Sequence, residues 1–540
     1  MMQKAQKMFY NGKVYTVDSN ESVQSAFCIY DDRFMAVGSD EEMLALCDEH
    51  TEKVDLKGQV VVPGLIDTHL HVVHTGTIKM QLDLHGMDKK EILALVKEKA
   101  KDLTPGKWIQ GWGWINDKWD DPGFPTKEEL DEVAPDVPVF LNRGCGHMSW
   151  VNSKAIELVG ITEDTPNPPG GEIIKNEDGT IRGVVTDQAQ DLFMKKVPVY
   201  DDEDQKKINL LAQDEFLKFG LTSVHDMGAS PHDLEIREGL YADGRMKVRT
   251  YNTLRVPGRP WYDEMYEKTM EYLKSGIRIG MYDNHMTVRG YKISGDGSLG
   301  ARSAWMVDDY DDRPGHKGDG KWTDEQWDAV CYEAHKRGFQ ICYHGIGDAA
   351  NRQALNSFEK VLKMIPNPDH RHRIEHAQIL QPDDIARFKE LGVIPTFQTI
   401  FLHTDKNVAE ARIGDRVKYA YAWRTMIDQG NVIPNGTDCP VESCNPYMSM
   451  YCAVTRMDEF GEPEGGWYPD EAMTRMEALK SYTIWAAYGG FEENLKGSIE
   501  AGKLADFVII DKDIMECPEM EIKDIQALET YIGGELVYKR

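Results

Sequence analysis

Residues 61–71 read Val61-Val62-Pro63-Gly64-Leu65-Ile66-Asp67-Thr68-His69-Leu70-His71. An apolar run ends in two histidines one residue apart. Side chains alternate faces along a strand, so both imidazoles point to the same side. Two neutral imidazoles converging at a strand end form half of a site for a divalent transition metal. Pro63-Gly64 marks a break near the start of the strand. Two inert, hydrogen-bonded histidines in a buried strand are the plain alternative, and further ligand types downstream in the same context weigh against it.

Outward from this stretch, the middle of the chain alternates helix and strand. Residues 206–219 have helical apolar spacing and lead through Gly220 to the strand 222–225. Residues 323–336, Gly338 and the strand 339–344 repeat the pattern, as do 383–391, Gly392 and 393–397. Helix, glycine and strand in succession predict a parallel α/β fold. In a (β/α)8 barrel the chemistry sits at the C-terminal ends of the strands. Four more residues fall at such ends or just after strand-like stretches: Lys292, His344, His376 and Asp438. Singly, each has a plain explanation as a solvated lysine, a structural histidine or a cap. Their order along one α/β chain argues for a shared site.

Both ends of the chain are strand-rich. Residues 7–10, Asn11-Gly12 and 13–17 read as a hairpin, and so do 26–30 and 34–37 around Asp31-Asp32-Arg33. Strands at 507–510, 527–532 and 535–538 give the C-terminus the same character. The expected organisation is a composite β-sandwich from 1–62 and 490–540 around a barrel over 63–489. The stretch from about 83 to 199, rich in Trp, Gly and Pro, reads as an insertion near the barrel mouth.

The bulk numbers bound the function. At 540 residues the chain can bury a large core. Its 62 basic and 91 acidic residues give a net charge of −29, which repels nucleic acid and anionic membranes. No apolar run reaches membrane-span length, and residues 1–10 carry no signal-peptide core. Nine scattered cysteines without a CxxC pair suit reduced thiols in the cytoplasm.

The sequence resembles the amidohydrolase superfamily, in its YtcJ-like branch, nearly end to end. The resemblance rests on Pro63 through His71, on Lys292 with Asp296-Gly297-Ser298-Leu299-Gly300, and on His344-Gly345-Ile346-Gly347-Asp348. It also rests on Glu375-His376-Ala377-Gln378, Gly436-Thr437-Asp438 and Gly502-Lys503-Leu504-Ala505-Asp506; Trp112-Gly113-Trp114 points to the branch. It implies a distorted (β/α)8 barrel, a β-sandwich from both termini and a centre of two divalent metal ions, with donors that suit Zn2+ and also admit manganese or iron. His69, His71 and Asp438 would hold one metal, His344 and His376 the second, and Lys292, carboxylated by CO2, would bridge them. A carbamate suits this role because an ammonium repels cations and an anionic oxygen attracts them. An unmodified Lys292 beside a single metal is the alternative.

Metal-activated hydroxide would then attack a small-molecule amide, with Asp438 moving the proton. His147 is a candidate to hydrogen-bond the substrate carbonyl or a developing oxyanion, with a capped loop histidine as the equal alternative. Trp112 and Trp114 are candidates to line an apolar pocket, with core packing as the alternative. Asp296 would orient ligands or make a turn, Cys439 reads as a buried packing residue, and the acidic loop 308–312 as solvated. Competing functions are a mononuclear deaminase of a nucleobase-like ring, which Lys292 argues against, and an inactive barrel scaffold, which the complete ligand set argues against. A homodimer is the expected assembly.

Overall fold

The computed structural model describes residues 3–101, 103, 106–116, 119–144, 148–168, 171–197, 199–256 and 262–540. Seven parallel strands form most of a barrel. They are β1 (Leu65–Leu70), β2 (Leu221–Ala229), β3 (Arg249–Leu254), β4 (Met286–Ser294), β5 (Gln340–Gly345), β6 (Arg373–His376) and β7 (Ile394–Thr396). Each pairs in parallel with the next. A short antiparallel strand, Arg278–Gly280, adds to β4.

The eighth position is filled by residues 433–439, which form no regular strand. They close the ring through isolated parallel bridges, Phe397 to Asn435 and Leu70 to Cys439. Hydrogen bonds seal the seam: Thr68 N donates to Asn435 O at 3.1 Å, Asp438 N to His69 O at 2.6 Å and His71 N to Cys439 O at 2.8 Å. Backbone contact this close needs glycine. A Cβ on Gly436 would lie 2.5 Å from His69 N and 2.9 Å from Asp67 Oδ1. The helices between strands start and stop as their residues dictate. Thr323 caps Asp324–Lys336 through a capping box with Gln326. Pro382–Leu391 ends at Gly392 in the left-handed conformation, which hands the chain to β7.

The run at 60–70 is two strands. Val60–Pro63 belongs to a six-stranded sheet with Phe507–Ile510, and the barrel starts at Leu65. Gly64 between them packs so tightly that a Cβ would meet Thr222 Oγ1 at 2.2 Å. A four-stranded sheet of Arg33–Gly38, Ala26–Tyr30, Lys7–Tyr10 and Glu52–Asp55 faces the six-stranded one. Aromatic rings from both ends of the chain fill the space between them. Phe9 stacks on Phe27 at 5.0 Å, and Phe507 meets both edge-on and stacks on Tyr531 at 4.4 Å. Arg249, at the start of β3, is paired with Asp506 at 2.7 Å, both buried, which ties this sandwich to the barrel.

One expected hairpin does not form. Lys7–Tyr10 pairs with Ala26–Tyr30 and Glu52–Asp55, whereas Lys13–Tyr15 pairs with Val23–Gln24 and Val60–Pro63 in the other sheet. The chain changes sheets at Asn11, whose φ is +58°, because both flanking runs bury apolar side chains and each sheet needs one. The hairpin of 26–30 and 34–37 does form.

A second compact unit spans Val73–Ala212. It has its own six-stranded sheet, ordered Gly171–Lys175, Ile181–Asp187, Met148–Val151, Val139–Arg143, Ile109–Trp114 and Leu82–Asp83. Its core is built on Trp114, Trp119 and Trp150 with Ile92, Val96 and Leu130. Among the described residues, no helix is long and apolar enough to cross a membrane.

Candidate metal centre

The strand order brings five of the six expected ligands to the C-terminal ends of the barrel strands or just beyond, and the closing segment sets Asp438 beside them. His69 is near the end of β1, with His71 just beyond it. Lys292 is near the end of β4, His344 near the end of β5, His376 ends β6, and Asp438 lies in the closing segment. Ligating atoms of His69, His71 and Asp438 lie within 4.8 Å of one another. Asp438 Oδ1 is 3.0 Å from His71 Nε2 and 3.5 Å from His69 Nε2. Lys292 Nζ lies 3.2 Å from His69 Nε2. The His376 ring centre is 4.9 Å from that of His69 and 4.5 Å from that of His344.

Neighbouring groups fix which nitrogen of each ring faces inward. Glu375 Oε2 accepts from His69 Nδ1 at 2.7 Å, so Nε2 keeps its lone pair toward Lys292 and Asp438. Arg373 holds Glu375 in turn, Nε to Oε1 at 2.8 Å, and donates to Thr68 O at 2.7 Å. Gln398 Oε1 accepts from His376 Nδ1 at 2.6 Å, again freeing Nε2. His344 differs: its Nε2 donates to Gly297 O at 3.0 Å, which leaves Nδ1 as its donor atom for a cation.

Asp296 is buried beside His344 Nε2 at 3.3 Å and accepts from the backbone N–H of Trp305, Ile346 and Gly347. It therefore shapes the loop after β5. Asp67 ties β1 to the closing segment by accepting from Thr437 Oγ1 and from the N–H of His69 and Thr437; burial raises its carboxyl to about 7.

The electrostatics suit a cation. Burial lowers His69 to about 4, aided by the Lys292 charge, so the ring is a neutral donor. Burial opposes charge on Asp438, yet His69, His71 and His376 in their protonated forms outweigh it and hold the carboxylate well below its ordinary range. Burial also lowers Lys292 to about 8. Asp438 Oδ1 is buried, with His71 Nε2 and His69 Nε2 as its near neighbours. A buried carboxylate oxygen beside imidazole nitrogens is a donor set that a divalent cation satisfies. His376 and Asp438 are held at φ +73° and +58°, strain of the kind that clusters at functional sites.

Other expectations resolve differently. Trp114 is fully buried in the core of its own unit, stacked 5.7 Å from Trp119 with Nε1 donating to Leu141 O, so it has no face to offer a ligand. Trp112 is partly buried on the same strand. His147 lies outside the described residues. Cys439 is buried, as a packing residue would be. The acidic loop is not simply solvated: Asp311 pairs with Arg416 at 2.7 Å and Asp312 with Arg302 and Arg412. Glu375, Arg373 and Gln398 were not anticipated. The Arg373-x-Glu375 alternation, which puts opposite charges on one face of a buried strand, was the available signal for an interior ion pair.

This barrel and donor set define a metal-dependent hydrolase. The sequence profile of the amidohydrolase family matches residues 52–538, and the chain belongs to that family. Protein LONG AFTER FAR-RED 3 of Arabidopsis thaliana is 32% identical over 98% of this chain and 91% of its own length. The protein designated amidohydrolase YtcJ of Bacillus subtilis is 30% identical over 99% of both chains. N-substituted formamide deformylase of Arthrobacter pascens is 28% identical over 100% of this chain and 99% of its own. The crystal structure of a metal-dependent hydrolase from Pyrococcus furiosus superposes with a TM-score of 0.78 at 29% identity, covering 94% of this chain and 100% of that one.

Proposed function

We propose that the protein hydrolyses the carbon–nitrogen bond of a small linear amide, an N-formyl or N-acyl amine, at a centre of two divalent cations. The observation that carries this reading is the convergence of six ligand side chains, with Lys292 Nζ buried 3.2 Å from His69 Nε2. His69, His71 and Asp438 would hold one cation and His344 and His376 the other, with a Lys292 carbamate between them. Imidazole and carboxylate donors suit zinc. When bound, such cations acidify water and polarise the substrate carbonyl.

The residues divide the remaining work. A lysine lowered to about 8 keeps a sizeable neutral fraction near neutral pH, and the neutral amine is the form that adds CO2 with release of one proton. Asp438, ionised and buried, takes the proton released by water and returns it to the departing amine. Glu375 and Gln398 keep His69 and His376 in the donor tautomer. The full-length relationship to N-substituted formamide deformylase supports a formamide or a close analogue as substrate. Lys292 beside His69 favours the two-cation reading over a one-cation deaminase.

The test is a panel of N-formyl, N-acyl and carbamoyl amines incubated with metal-replete protein and followed by amine release. Turnover of the formyl or acyl compounds is expected. Release from none of them by protein carrying its full metal complement rejects the reading.

A further inference from the structure

A cavity of about 700 Å³ opens onto Lys292 and is lined by Arg255, Val256, Met265, Tyr291 and Trp322 among others. That volume suits a small-molecule ligand. Arg255 directly follows Leu254, the last residue of β3, and so stands on the catalytic face of the barrel. Its stem lies against the end of β2, where Gly228 leaves room: a Cβ there would be 3.1 Å from Arg255 Cδ.

Arg255 is partly buried, and its guanidinium forms no hydrogen bond or ion pair with any described residue. It is near enough to Asp438 and Lys292 for their charges to influence one another. The other cations of the wall are engaged or open to solvent. Arg302 is paired with Asp312 at 2.8 Å, Lys321 Nζ reaches Ser294 Oγ at 3.1 Å, and Arg313 is exposed. One acid, Asp319, lies among the described lining residues. In a chain of net charge −29, this wall is locally cationic.

We infer that Arg255 is a specificity residue that binds a carboxylate on the substrate, so that the substrate class is an N-formyl or N-acyl amine carrying a carboxylate beside an apolar body. The inference rests on the hydrolase reading above. A guanidinium lining the cavity without a partner among the described residues presents a planar fork of donors that a carboxylate meets with two charge-assisted hydrogen bonds. Val256, Met265 and Tyr291 then face the apolar part, and the scissile amide lies on the Lys292 side of the cavity.

Two matched substrates test this on the metal-loaded full chain: racemic N-formyl-leucine and N-formyl-isoamylamine, which differ only in the carboxylate. Wild type is expected to prefer formyl-leucine in kcat/KM. Arg255→Met should lower that preference on the order of 10²-fold, and Arg255→Lys, which keeps the charge without the fork, should lose less. No preference in wild type, or an unchanged ratio in Arg255→Met, overturns the inference.

Binding gives a readout independent of turnover. Isothermal titration of 4-methylpentanoate and 4-methylpentanamide into wild type and Arg255→Met, at equal metal content, separates this inference from the hydrolase reading. Acid bound by wild type and lost in the variant supports the role of Arg255 even where neither formyl compound is cleaved. Acid bound equally by both proteins, or by neither, overturns it.

Discussion

Glu375 decides which nitrogen of His69 faces the centre, and Arg373 decides where Glu375 stands. Glu375→Gln keeps the shape but loses the charge, so its amide holds the imidazole less firmly. Metal affinity should fall about 10–100-fold, the range typical of groups that orient a ligand, as read by competition with a chelator of known affinity. An unchanged affinity would mean that backbone packing alone orients His69. Asp438 carries a second prediction. Asp438→Asn keeps an oxygen donor but cannot accept a proton, so turnover should fall ~10²–10⁴-fold in protein whose metal content is measured on the same preparation. Normal turnover with both metals retained would move the proton to another group. The six candidate ligands were legible because strand ends in an α/β chain are where such residues matter; five stand at or just beyond one, and Asp438 lies in the closing segment. Glu375, Gln398 and Arg255 were not, because their roles depend on which strands become neighbours, and spacing along the chain does not encode that.

The elements show where sequence pattern succeeds and where it misleads. Helix–glycine–strand units at 323–344 and 383–397 formed within a few residues of the expected bounds, since capping residues and a left-handed glycine fix them locally. The first expected hairpin failed because Asn11-Gly12 serves equally to turn a strand back or to pass it to a facing sheet; burial on both sides chose the second. The closing segment 433–439 was legible by its motif and not by its pattern, because it has no ladder of its own. Its fit depends on Gly436, where a methyl group would collide with the backbone of His69. Gly436→Ala should therefore cost about 1–3 kcal/mol in denaturant unfolding, as overpacking does, and weaken metal binding by displacing His69. Wild-type stability in that variant would show that the seam is looser than described.

At the scale of the molecule, the sandwich joins residues more than 490 positions apart, with Phe9 and Phe27 on one side of its core and Phe507 and Tyr531 on the other. Both termini as short strands suggested this composite, and its aromatic core is what couples them. Phe507→Ala removes the ring that touches all the others and should cost ~3–5 kcal/mol in unfolding free energy. A loss under 1 kcal/mol would mean that the sandwich contributes little to stability.

The central claim is a centre built for two cations, in which Lys292 completes the ligand set. The most direct measurement is the number of divalent ions per chain, by elemental analysis of metal-replete protein, on wild type and Lys292→Ala in parallel. The account predicts about two ions in wild type, because five side chains plus a carbamate exceed what one tetrahedral zinc requires, and a loss of one or both in the variant. A wild-type value that stays near one at saturating metal, unchanged by Lys292→Ala, would contradict it.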